Sequence, residues 1–303
     1  MNFAFSSNAY RRWPIEHAID RVAAAGYRGI ELMADVPHLW PPSVTDEMID
    51  QVRGCLSEAG LTISNINAFM MIGRPNGAKQ PRAKGAKAGS QPTCDAQPQS
   101  PSDFWHPSWI EPDADYRRLR VRHTIDALRM ARKLGASCIT AEPGGPLPEG
   151  MSREQAADLF AAGLNEALRV AEEVEVQLLV EPEPGLLIEN AAQFRDFAAR
   201  FDSPMFGLNF DVGHFYCVSD PLPETIALLS AYTRHYHIED IAASRVHHHL
   251  IPGRGAIDFP AVLKAIHAAG YDGWLTVELY PYLDDPDAAG REALEFLTRL
   301  AHP

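Results

Sequence analysis

Apolar residues recur along this chain with two different spacings. Short runs rich in Phe, Val, Ile and Leu read as strands at residues 3–7 (FAFSS), 27–33 (YRGIELM), 61–68 (LTISNINA) and 137–142 (SCITAE). Four more lie at 176–181 (VQLLVE), 206–211 (FGLNFD), 235–239 (HYHIE) and 274–279 (WLTVEL). The stretches between them carry apolar residues three or four apart, the period of a helix with one buried face. Such stretches occupy 15–26, 45–60, 115–135, 154–174 and 259–270, and they are expected to stop at glycine.

The pattern predicts eight strands and eight helices in strict alternation. Parallel strands need crossover connections, and a helix after every strand supplies them. Eight such units in one chain of 303 residues predict a (β/α)8 TIM barrel, an α/β fold forming a single domain over residues 1–303. A doubly wound open sheet is the competing fold. It would carry a glycine-rich phosphate turn after its first strand, and SSNAYRRWP is no such turn.

Residues 74–103 interrupt the alternation after the third strand. They are rich in Pro, Gly, Gln, Ala and Lys, a composition that buries too little surface to order itself, and are expected to be a flexible, disordered insertion at the active-site end. Its first half holds Arg74, Lys79, Arg82, Lys84 and Lys87 without an acid, so anion attraction competes with a merely solvated loop. The aromatic cluster that follows, 104–109 (FWHPSW), is expected either as a lid bringing Trp105 to substrate or as a plug pinning the loop.

Charge narrows the partners. A net charge of −13 disfavours nucleic acid, which needs a basic stripe to release counterions. No apolar run is long enough to span a membrane, and the first residues do not read as a signal peptide. The four cysteines lie far apart with no CxxC pair. A cytoplasmic protein acting on a small molecule is expected, with a homo-oligomer open.

Barrels place their chemistry where strands end. Here the fourth strand ends in Glu142, the fifth in Glu181 followed by Pro182 and Glu183, and the sixth in Asp211 with His214 beyond it. The seventh carries His237 and the eighth Glu278. A carboxylate after an apolar run is costly unless paired or bound to a cation. Alone, a strand-end Glu is a cap or ion-pair partner, and a strand His a satisfied core residue. Glu181, Asp211, His237 and Glu278, one from each of four consecutive strands, instead form a ligand set of net charge −3. Mn2+ suits it first, then Co2+ or Mg2+, with Zn2+ possible.

The segments VEPEPG, NFDVGHF, HYHIED with HLIPGRGAIDF, and TVELY resemble the xylose isomerase-like barrel superfamily. That superfamily holds sugar-phosphate isomerases and epimerases, ketose 3-epimerases, hydroxypyruvate isomerase, inosose dehydratase and an apurinic endonuclease class. The resemblance implies the same four ligands, and in the epimerase branch it implies proton transfer by Glu181 and Glu278 and substrate contact by His214. In the endonuclease branch a further ion is held at the position of His249. That branch also uses histidines on its third and fourth strands, where this chain has Asn65 or Asn67 and Glu142. The epimerases' arginine after the strand-seven histidine could match Arg245 or Arg254.

The expected reaction is isomerisation or epimerisation of a sugar, sugar phosphate or keto-polyol through a metal-stabilised enediolate, with Glu181 and Glu278 moving the proton. Glu142 and Glu183 are expected to orient hydroxyls or water, and His249, Arg254 and Trp105 to meet substrate. Dehydration of a keto-polyol on the same site is the alternative, with phosphodiester hydrolysis and a non-catalytic sugar-binding barrel behind it. Within residues 235–255, His237 is the expected ligand, His249 binds substrate or a second ion or merely packs, and His247 and His248 are expected to be exposed.

Overall fold

Eight parallel strands close on themselves in chain order in the computed structural model, which describes residues 1–72 and 104–301. The expected insertion, residues 74–103, lies outside the described residues. The strands are β1 (Asn2–Ser6), β2 (Gly29–Met33), β3 (Thr62–Asn67), β4 (Cys138–Ala141), β5 (Gln177–Val180), β6 (Phe206–Asp211), β7 (Thr233–Ile238) and β8 (Trp274–Val277). β8 pairs with β1, Asn2 opposite Trp274 and Phe5 opposite Val277, so the sheet has no free edge. This is the predicted (β/α)8 TIM barrel.

The helices are α1 (Ile15–Ala24), α2 (Asp46–Ala59), α3 (Ala114–Leu134), α4 (Arg153–Val174), α5 (Ala191–Ala198), α6 (Val212–Cys217), α7 (Leu222–Leu229), α8 (Phe259–Ala268) and α9 (Pro286–Ala301). Strict alternation therefore fails once, because the short α6 follows β6 directly and precedes α7. Asp211 causes it: its Oδ1 accepts the backbone N–H of His214 at 2.7 Å and caps the turn.

Glycine stops are found where expected, with Gly26, Gly60, Gly135 and Gly270 all at positive φ beyond α1, α2, α3 and α8. α4 departs from that rule, since Glu175 takes the left-handed turn at φ +56°. It starts as a well-capped helix, Ser152 and Gln155 satisfying each other's backbone N–H groups.

Successive side chains on a strand face opposite ways, and the two faces differ sharply in chemistry. Ile30, Leu32, Leu208, Phe210, Tyr236, Ile238, Leu275 and Val277 join a core with Ile19, Leu128, Phe160, Leu164 and Leu297 of the helices. Each such large apolar side chain contributes about 1.5–3 kcal/mol by its burial. The alternate set, including Ser6, Glu31, Asn65, Thr140, Asn209, His235 and Thr276, is polar and also buried. It fills the barrel interior below the strand ends.

Candidate metal centre

Interior polar side chains must be satisfied by one another, and here they are linked strand to strand. Ser6 Oγ donates to Glu31 Oε1 at 2.7 Å. Asn65 Nδ2 donates to Glu31 Oε2 and to Thr140 Oγ1, both at 2.7 Å. Asn209 donates to Glu181 Oε2 at 2.7 Å and contacts His235 through its Oδ1 at 2.9 Å. His235 reaches Thr276 Oγ1 at 2.8 Å, and Thr276 meets Ser64 at 2.9 Å. Irregular register at Ile30/Glu31 and at Leu208/Asn209 accompanies this layer.

Above the layer stands His237. Its Nδ1 lies 3.0 Å from Glu181 Oε1, 3.8 Å from Glu278 Oε2 and 3.9 Å from Asp211 Oδ2. One ligand atom from each of these four residues falls within 4.8 Å of the others. Asp211 Oδ2 has no hydrogen-bond partner, so a buried acceptor is left facing the cluster. Three carboxylates, one imidazole and an unsatisfied oxygen fit a divalent cation that takes oxygen and nitrogen ligands.

Electrostatics agree with that demand. Burial, first of all, raises the carboxyls of Glu181 and Glu278, the latter to about 8, although the charge of His237 pulls both down. Burial likewise opposes charge on His237, but Glu181, Glu31 and Glu278 outweigh it and raise its pKa far above the usual range. Without another cation the acids use the imidazole as their counter-charge.

The histidine-rich loop closes over this cluster because of Asp240. Its carboxylate accepts the backbone N–H groups of Gly253, Gly255, Ile257 and Ile241 at 2.8–3.1 Å. A Cβ on Gly255 would stand 2.3 Å from Asp240 Oδ1, so the close approach requires glycine. Asp240 also pairs with Leu250 by two backbone bonds. His247 and His249 are thereby held beside His214.

His214 Nδ1 bonds the carbonyl of Pro182 at 2.9 Å, and His249 Nδ1 the carbonyl of Glu278 at 3.0 Å. A carbonyl only accepts, so both Nδ1 atoms carry hydrogen. His247 Nδ1 faces Glu183 Oε1 at 3.2 Å. The three Nε2 atoms consequently converge, His214 to His247 and His247 to His249 at 3.0 Å each. Such an arrangement can hold a shared proton or a second ion. Burial opposes charge on His214, yet Asp211, Glu183, Glu181 and Glu278 raise it to about 9. Burial and its histidine neighbours push His247 down to about 2.

The predicted site residues separate accordingly. Glu181, Asp211, His237 and Glu278 come together, with His214, Glu183 and His249 beside them. His247, expected to be exposed, is drawn into the cluster by Glu183 and the two imidazoles; His248 is exposed. Glu142 faces the buried guanidinium of Arg120 at 3.4 Å, so its charge is already matched by a cation. Arg254 makes a bidentate pair with Glu292 on α9, both bonds at 2.6 Å and both side chains exposed. Arg245 donates to the carbonyl of Tyr216 and lies over its ring at 4.1 Å. Trp105 packs against Phe69, just beyond β3, at 6.2 Å between ring centroids.

Three participants were not anticipated. Glu31 contacts His237 Nε2 at 2.7 Å from within β2, not from its end. Glu239 is fully buried, and burial together with Asp211 pushes its carboxyl far up. Its Oε1 sits where a Cβ on Gly213 would be, 1.8 Å away, which explains glycine between Asp211 and His214. Asn209 was hidden inside an apolar run.

Comparison with known proteins places this geometry in context. Residues 19–300 match the family described as xylose isomerase-like TIM barrel. Fructoselysine 3-epimerase of Escherichia coli O157:H7 is 26% identical over 294 residues, covering 94% of this chain and 93% of its own. Inosose dehydratase of Clostridium beijerinckii is 28% identical over 162 residues, covering 46% of this chain and 53% of its own. A crystal structure of the IolI protein with a bound zinc atom superposes with a TM-score of 0.72 at 16% identity, covering 99% of this chain and 96% of that one.

Proposed function

We propose that this chain, which belongs to the xylose isomerase-like TIM barrel family, is a divalent-metal-dependent isomerase or epimerase of a sugar or keto-polyol. The observation that carries the reading is the convergence of Glu181, Asp211, His237 and Glu278 within 4.8 Å. Its likeness along nearly its whole length to an epimerase supports the same class.

The four residues would hold the ion, Mn2+ by preference for the mixed oxygen and nitrogen set. When bound, the ion supplies a Lewis acid for the substrate's carbonyl and adjacent hydroxyl. The remaining work falls to side chains. A proton next to a carbonyl is removed by one carboxylate and returned by another, and Glu181 and Glu278 stand nearest the centre for that exchange. Burial raises both carboxyls, Glu278 to about 8, which favours their taking up a proton. His214 is held by its Nδ1 on Pro182, and a substrate oxygen would take the place of His247 at its Nε2, 3.0 Å away. Burial of the whole cluster excludes water from the reactive carbanion.

Dehydration is the second reading. Burial raises Glu183 to about 8, so a neutral carboxylic acid stands beside His214 and His247, where it can protonate a departing hydroxyl. The partial likeness to an inosose dehydratase favours the same alternative. Incubating Mn2+-loaded protein with ketoses and inososes in deuterated water tests both. Solvent deuterium at carbon in an isomer is expected from the first, and an unsaturated product from the second. No exchange and no product with any polyol would leave only a binding role.

A further inference from the structure

We propose that Glu31 is a positioning residue that fixes which nitrogen of His237 is free to bind a cation. The inference rests on the metal reading above and concerns a residue outside the ligand set. An imidazole offers a lone pair from one nitrogen only while the other keeps its hydrogen, and the neighbours decide which is which.

His237 is flanked by carboxylates on both nitrogens, so the choice needs a cause. On the Nδ1 side lie oxygen atoms of Glu181, Glu278 and Asp211 at 3.0, 3.8 and 3.9 Å, drawn from three different strands or strand ends, and the Asn209 amide nitrogen at 3.1 Å. On the Nε2 side, among the described residues, lies Glu31 at 2.7 Å. Glu31 has no part in the four-residue cluster, and it is enclosed by donors: Ser6 Oγ on Oε1, Asn65 Nδ2 and His237 Nε2 on Oε2, each at 2.7 Å.

A carboxylate in that setting can only accept. The Asn65 amide nitrogen and the His237 Nε2–H both point their hydrogens at Oε2, and removing either would leave a buried oxygen short of a partner. Nε2 therefore keeps its hydrogen, and Nδ1, which shares a hydrogen with Glu181 at 3.0 Å in the cation-free chain, is the nitrogen that would give its hydrogen up to an ion held among the three acids. The pairing irregularity between Ile30 and Glu31 coincides with the carboxylate that reaches across the barrel to β7.

Glutamine separates positioning from charge. In Glu31→Gln the amide oxygen can still accept from Asn65 and His237, while the amide nitrogen meets Ser6, whose hydroxyl accepts as readily as it donates. Glu31→Leu removes the acceptor altogether. Ser64→Ala deletes a buried hydroxyl bonded to Thr276, not to His237, and controls for a general loss of stability.

Calorimetric titration of the metal-free full chain with Mn2+ is the test, at a temperature where circular dichroism shows each variant folded. Glu31→Leu is expected to bind about 10–100-fold more weakly, with Glu31→Gln and Ser64→Ala within about threefold of wild type. Leu binding as tightly as wild type, or Gln and Leu losing affinity alike, overturns the inference while leaving the metal reading standing. Wild-type protein that takes up no Mn2+ defeats the metal reading and the inference with it. Nitrogen-15 spectra of the zinc-loaded wild-type chain need no variant: Nδ1 of His237 is expected to be metal-bound with the proton on Nε2, and the opposite assignment overturns the proposal.

Discussion

Arg120 and Glu142 face each other at 3.4 Å with neither side chain reaching solvent. The same guanidinium donates to the carbonyl of Pro107 at 2.8 Å and to that of Phe69. One charge on α3 thus serves the end of β4 and both flanks of the long connection after β3. Removing it takes a buried cation away from the Glu142 carboxylate, and Arg120→Met is expected to destabilise by about 3–5 kcal/mol in urea unfolding. Arg120→Met combined with Glu142→Leu should recover much of that loss. An additive double variant would show that the two residues are not coupled.

Glu278→Gln tests the proton-transfer role. The amide keeps its size but cannot carry a proton to or from carbon, so turnover should fall by about 10²–10⁴-fold. The far-UV spectrum and melting temperature should stay near wild type. Retention of normal deuterium exchange would remove Glu278 from the chemistry.

Metal and stability are linked through Asp211. A cation that binds only the folded chain stabilises it, by about 2.7 kcal/mol at 100 times its dissociation constant. Mn2+ should therefore raise the melting temperature by several degrees and a chelator should reverse the shift. Asp211→Asn can still cap α6 through its side-chain oxygen but loses the anionic ligand. The expected result is a folded variant whose melting point ignores Mn2+.

Stability should also fall in mild acid through His38. Its Nδ1 meets Ser7 Oγ and its Nε2 the carbonyls of Tyr10 and Trp13, all at 3.2–3.3 Å. Burial lowers its pKa to about 4, below the unfolded value near 6.5. Between those values the unfolded chain binds the extra proton, so the stabilisation is complete above pH 6.5 and is lost as pH falls towards 4. At roughly 1.4 kcal/mol per pKa unit the contribution is about 3 kcal/mol. His38→Gln, which cannot titrate, should show a shallower decline of melting temperature between pH 6.5 and 4.5.

Gly213→Ala is expected to disturb the centre without touching a ligand. The new methyl would collide with Glu239, which has to move away from Asp211. Weaker Mn2+ binding together with a lower melting temperature is expected, and a variant that titrates like wild type would mean Glu239 has room to spare.

Much of this molecule could be read from residue order. All eight strands lie within a few residues of the apolar runs, because the alternation of NFD, HYH and TVE shows apolar side chains outward and polar ones inward. The strand-end rule found the four clustered residues and missed Glu31 for a plain reason: it read only the fourth to eighth strands, and Glu31 is the third of five in β2. His247 looked like one of a solvated run because nothing local reveals that Asp240 folds the loop back. Arg254 stood in the right motif, yet Glu292, far along the chain, claims its guanidinium. The extra helix α6 depends on a capping bond from a residue that also looked like a ligand.

The polar ring inside the barrel bears on folding accuracy. A strand displaced by two residues still turns its apolar side chains outward, so oil-like contacts alone punish that error weakly. Shifted by two, however, Glu31 would lose Asn65 and His237, and Asn209 would lose Glu181 and His235. The residues that assemble the centre thus act as a combination lock on strand alignment, and a chain that closes in the wrong register cannot also bring Glu181, Asp211, His237 and Glu278 together.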